Sequence, residues 1–253
     1  MKRVGLVIGL ITSIMLLIPT DAYAQAGAPD ILIVELQVRG SGTTGAADQE
    51  FAELYNVTEL PIDMSSWKLQ YKSATGTTWS DKVTLHGILA SHSRFLLVSD
   101  KFTGTPTTGT DGSPLGIDTF SAGFSDSAGH IRIINNTIPT VPDVHDTLGW
   151  GTTANAAEGN APATAPGGGK SLKRNVDADG NFVDTNNNAA DFALSTEPSP
   201  QADPLYIVPP VDETPPPDPA LEPDPNPAPD PIQTPPPASE DPAVEQPATE
   251  PET

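Results

Sequence analysis

Apolar residues in this chain fall into short runs, most of them alternating with polar residues at the period of a strand. Residues 31–38, ILIVELQV, form a β-branched-rich run that reads as the first strand and a central one. Residues 50–57 alternate around Phe51, Leu54 and Tyr55. The segment 56–61 breaks that strand, and Ile62, Met64, Trp67 and Leu69 supply the apolar groups of its return. A weaker strand is predicted over 82–89 around Val83 and Leu85, and a stronger one over 93–98. Residues 129–135 alternate cleanly, turn at 135–142, and pair with 144–151. Stretches 40–48, 74–78, 101–117 and 152–169 are rich in small, polar or turn-forming residues and read as loops, while Trp79 either packs on a sheet edge or stands half exposed. No helical periodicity persists after residue 25. Short strands separated by turn signals predict an all-β sandwich.

Four motifs, in order, carry a family resemblance. The run Glu50-Phe51-x-Glu53-Leu54-x-Asn56, then Ile62-Asp63-Met64-Ser65-x-Trp67-x-Leu69, resembles the opening motif of the lamin tail domain, with Ala52 where that family more often has Ile or Val and Ser66 where it often has Gly. Leu85-x-Gly87-x-Leu89 followed by Phe95-Leu96-Leu97-Val98 is similar to its middle hairpin. The pair 129–135 and 144–151 resembles a further hairpin, with Ile133 in place of the family's leucine. Ser171-Leu172-Lys173-Arg174 and Asp184-Thr185-x-Asn187-Asn188-x-x-Asp191-Phe192 match its closing segment. The resemblance implies an immunoglobulin-like β-sandwich over residues 31–202, in which Leu172, Phe182 and Phe192 close one end of the core. It also implies an interaction module, since such domains occur in nuclear lamins and as accessory domains of bacterial exported proteins.

The two ends of the chain differ from this middle. Met1-Lys2-Arg3, an apolar run over 4–18, and Ala22-Tyr23-Ala24 predict a secretory signal peptide at 1–24 and a leader at 25–30. The alternative is a retained anchor, disfavoured because the run is shorter than the roughly 20 residues of a span. With no Cys, no disulfide supports an exported domain, which must rely on its core. Twenty of the 29 prolines lie between Pro198 and Pro251, and residues 197–253 hold 13 Asp or Glu and no Lys or Arg. Residues 203–253 are therefore predicted to be a disordered acidic tail. Within it, Leu205-Tyr206-Ile207-Val208 is an apolar island able to dock on the sandwich as an edge strand. A net charge of −21 argues against a nucleic-acid partner.

Candidate chemistry is sparse. Asp177, Asp179, Asn181 and Asp184, with Gly180 between, have the spacing of a Ca²⁺ loop but lack the glutamate at its twelfth position, and turn capping is the preferred reading of residues 177–184. His86, His92, His130 and His145 are scattered, and His130 and His145 read as outward-facing strand residues. His145-Asp146 beside Asp143 hints at a hydrolytic metal site without completing a three-ligand set. Glu35, Glu50 and Glu53 are carboxylates in search of a pocket, and no G-x-S-x-G elbow occurs. Asn56-Val57-Thr58 and Asn135-Asn136-Thr137 fit the glycosylation sequon. These residues assign no catalytic, cofactor or metal position. The expected function is an exported, secreted or envelope-associated binding and scaffolding module, not an enzyme, whose partner is a protein or envelope polymer. A small metal-dependent hydrolase built on Asp143–Asp146 or Asp177–Asp184 is the alternative.

Overall fold

The computed structural model describes residues 29–42, 46–104, 113–135 and 142–208. The leader and signal segment through residue 28, and the acidic chain after 208, lie outside the described residues.

The strands that the sequence pattern predicts form, and with a further one at Ile117–Phe120 they stack as two main sheets. β1 (Ile31–Gln37), β2 (Phe51–Asn56), β7 (Arg94–Ser99), β8 (Ile117–Phe120), β11 (Ser171–Arg174) and β12 (Phe192–Ser195) make a six-stranded sheet ordered β12-β11-β1-β2-β7-β8. β4 (Trp67–Ser73), β5 (Ser80–Thr84), β9 (Gly129–Asn135) and β10 (Asp143–Trp150) make a four-stranded sheet ordered β10-β9-β4-β5. A two-stranded ribbon joins β3 (Ile62–Asp63) to β6 (Ile88–Leu89), and one short helix, α1 (Asn188–Asp191), precedes β12. The protein is an all-β sandwich.

Burial explains the composition of β1. Its seven residues are all buried because the strand lies between β11 and β2 with one face on the core and the other covered. Ile31, Ile33, Leu36, Leu54, Phe95, Leu97 and Leu172 face Trp67, Leu69, Ile131, Ile133, Leu148 and Trp150 across the sandwich. Each such side chain contributes about 1.5–3 kcal/mol on leaving water. Trp67 is buried, as its place in the opening motif predicts. Trp79 is half-buried against the guanidinium of Arg132, whose carbon lies 4.2 Å from the ring centre.

Some expectations need correction. The strand foreseen over 82–89 is two strands, β5 and β6, parted at Gly87, which has a φ of +78°. Ile117 does not close a loop but opens β8, which pairs in parallel with β7. Phe182 does not join Leu172 and Phe192 in the core; it stands outside, its ring 4.9 Å from that of Tyr55.

The folded unit also runs beyond Ala202, through Val208. Asp203 N–H donates to Arg94 O at 3.0 Å, Tyr206 N–H to Ile88 O at 2.7 Å, and Leu205 forms a bridge with Leu89. Leu205 packs so closely over Gly87 that an added Cβ there would come within 2.5 Å of Leu205 Cδ1. Residues 197–206 thus form a strap over the outer face of the six-stranded sheet.

Candidate functional site

The polar residues of the opening motif each tie a distant segment to β2. Glu50 is buried and accepts from Gly123 N–H at 2.9 Å and Phe124 N–H at 2.7 Å, fixing the loop after β8. Burial pushes its carboxyl up to about 7, against those two N–H groups. Three residues on, Glu53 accepts from Arg94 Nε at 3.0 Å and from Gln201 N–H of the strap at 2.8 Å. Asn56 donates from Nδ2 to Leu60 O, Leu89 O and Ala90 O. That side chain is fully buried, so the sequon at Asn56 offers no nitrogen for a glycan. Asn136 and Thr137 of the other sequon lie outside the described residues.

On the outer face of the six-stranded sheet, Glu35 and Glu53 stand opposite each other in the β1–β2 register. They line a groove of about 340 Å³ together with Val34, Tyr55, Arg94, Lys173, Val176 and Phe182. Glu35 accepts from Ser171 Oγ at 2.6 Å and from Ser199 N–H at 3.0 Å. Glu53 is raised to about 7, chiefly by burial, with the Gln201 N–H and Arg94 opposing. Both carboxylates hold the strap, while Tyr55, Phe182 and the Arg94 guanidinium stacked on Tyr55 at 5.6 Å form the rest of the groove.

A second polar group lies between the sheets. β10 bulges between Val144 and Asp146, and β1 bulges between Ile33 and Glu35. Asp146 Oδ2 accepts from Ile33 N–H at 2.6 Å and from Arg174 Nη2 at 2.5 Å, so one carboxylate of the smaller sheet clamps two strands of the larger. Arg174 Nε donates to Ile33 O at 2.8 Å, its Nη1 to Val183 O at 3.1 Å and Asp184 Oδ1 at 3.3 Å, and its guanidinium lies 4.5 Å over Phe192. Glu158 enters from a short turn, accepting from Thr147 N–H at 3.1 Å and Asn188 Nδ2 at 2.9 Å. Carboxylate oxygens of Asp146, Glu158 and Asp184 lie within 4.8 Å of one another. Burial, then repulsion from Asp146 and Asp184, pushes Glu158 up to about 9; burial likewise raises Asp146 against the pull of Arg174.

The closing motif is built around this group. Asn188 Oδ1 accepts from Gly149 N–H and Glu158 N–H, and its Nδ2 also donates to Thr147 O. Asp191 accepts from Thr185 N–H, Thr185 Oγ1 and Asn187 N–H. Asn and Asp act here as caps that lock one turn against β10.

The other sequence candidates form no further three-ligand group among the described residues, although His145 lies 3.6 Å from Asp143 and 3.8 Å from Asp30. Asp177 Oδ1 accepts from the N–H groups of Asp179 and Asn181, both at 2.9 Å, which is the turn-capping arrangement. Those bonds, led by Asn181, hold its carboxyl below the usual range, while Asp184 turns inward to Arg174. His130 and His145 are not exposed: His130 lies on the outer face of its sheet, alternating with the core residues Ile131 and Ile133, but is covered there. His130 is fully buried, with Nδ1 donating to Lys72 O and Nε2 accepting from Ala156 N–H, and burial lowers it to about 4. The His145 ring lies 4.1 Å from that of Trp67. His86 pairs with Asp118 at 2.5 Å, and His92 with Glu59 at 3.2 Å. Of the pair Asp143 and Asp146, only Asp146 enters the buried group; its partner Glu158 carries no local sequence signal, and Arg174 stands out only as part of the closing motif.

No family model matches the chain, and no curated protein sequence matches it. No helix among the described residues is long and apolar enough to cross a membrane.

Proposed function

We propose that the chain is an exported, non-catalytic binding and scaffolding module of the lamin tail domain type, carried on an acidic, proline-rich spacer. The observation that carries this reading is the groove over Glu35 and Glu53. Aromatic and cationic side chains line it on a rigid sheet, while its carboxylates are occupied with the backbone N–H groups of the strap. Acids tied in this way position a surface and offer little as proton-transfer groups, whereas Tyr55, Phe182, Arg94 and Lys173 provide contact area and donors for a protein or envelope polymer. The ordered motifs of the opening hairpin and the closing segment support the family assignment. Each of their polar residues has a clamp or cap to serve.

The test is co-sedimentation of the mature protein with envelope polymer from the exporting cell, against Tyr55→Ala/Phe182→Ala. Retention of the native chain and loss in the variant is the expected result. Turnover of ester, phosphodiester or glycosidic substrates by metal-supplemented protein would instead establish the hydrolase alternative.

A further inference from the structure

The geometry points to a divalent-cation site of the Ca²⁺ type between the two sheets, with Asp146, Glu158 and Asp184 as ligands and Arg174 as their outer partner. Two observations carry it independently. The first is distance. Oxygens on opposite sides of a bound Ca²⁺ are about twice its ligand distance of roughly 2.3–2.6 Å apart. The three carboxylates lie within 4.8 Å of one another, so one such ion can touch all of them. The second is an orphan atom. Asp146 is fully buried, and its Oδ1 has no hydrogen-bond partner among the described residues, although Oδ2 has two. An unmet carboxylate oxygen in the interior is costly unless something positive meets it.

Charge selects the ion. Ionised as ligands, the three carboxylates against one guanidinium carry two negative charges, which one dication neutralises. The donors are all hard oxygens, without nitrogen or sulfur, which favours Ca²⁺ over Zn²⁺. Arg174 does not compete for the ion: it binds Asp146 Oδ2 and Asp184 Oδ1, orienting the carboxylates as an outer-shell partner orients metal ligands. The site shares only Asp184 with the loop at 177–184, and it does not depend on the binding function proposed above. Its role is to lock β10, the loop at Asp184 and the turn at Glu158 together.

The test uses the full mature chain, stripped with EDTA and dialysed. Equilibrium dialysis should return one saturable Ca²⁺ per chain, and Ca²⁺ should raise Tm. Glu158→Gln and Asp184→Asn should each abolish that saturable binding, while Asp177→Asn should keep it. The dialysis of the unsubstituted chain needs no variant, so it stands even if the substitutions unfold the domain. No saturable binding of Ca²⁺, Mg²⁺ or Mn²⁺ at millimolar concentration, or binding that survives both ligand substitutions, would each overturn the site.

Discussion

Arg174 Nη2 meets Asp146 Oδ2 at 2.5 Å, and neither side chain has any exposure to solvent. The pair joins β11 of one sheet to β10 of the other through the bulge at Ile33, and it therefore fixes how the two sheets are registered.

Removing one member leaves the other charged and buried. Arg174→Ala should cost about 3–5 kcal/mol, the usual loss on breaking a buried pair. Urea denaturation followed by tryptophan fluorescence gives the number, and a loss below about 1 kcal/mol would mean the carboxylates are balanced without Arg174.

Trp67→Ala should also cost about 3–5 kcal/mol, for a different reason: it opens a cavity beneath β9 and β10. The same denaturation measurement applies. A near-neutral result would show that the indole contributes little to packing despite its burial.

Glu158 titrates near 9 in the folded chain, against an ordinary value of 4.5. The folded state therefore holds an extra proton across that window, and stability falls as pH rises through it. Glu50 and Glu53, both at about 7, act in the same direction but only up to that pH. In EDTA, Tm should drop between pH 7 and 9, and Glu158→Gln should flatten the drop. An unchanged slope in the variant would show that Glu158 is ionised throughout.

Cutting the chain after Val208 should leave Tm unaltered, whereas ending it at Ala202 should cost on the order of 2 kcal/mol. The shorter form loses the Asp203–Arg94 hydrogen bonds and the contact of Leu205 over Gly87. Equal melting temperatures for the two truncations would show that the strap ends before Asp203.

The strands were legible because alternation and burial are local: residues 129–135 and the continuous apolar run of β1 announce themselves. Phe120 and Phe124 did not, since they enter the core from a loop-like stretch through a parallel pairing that no turn signal marks. Glu50, Glu53 and Asn56 were visible as a motif, but their partners lie at 123–124, 201 and 60–90, and only the fold brings those segments together. The buried carboxylates are harder still. The histidine between them draws Asp146 together with Asp143 in the sequence, while its actual company, Glu158, Arg174 and Asp184, comes from three separate segments. Sequence spacing reports ligands on one element, and this group is assembled across several.

The strap gives the domain a mechanical character. Tension arriving from the C-terminal side does not load the sandwich at once, because the chain is tethered at Tyr206, then Asp203, then Gln201, then Ser199, each to a different strand or ribbon. A pull from that end would meet these tethers one after another, so the strap would peel before β12 is drawn from its sheet, much as a shock absorber takes up load before the body it is fixed to.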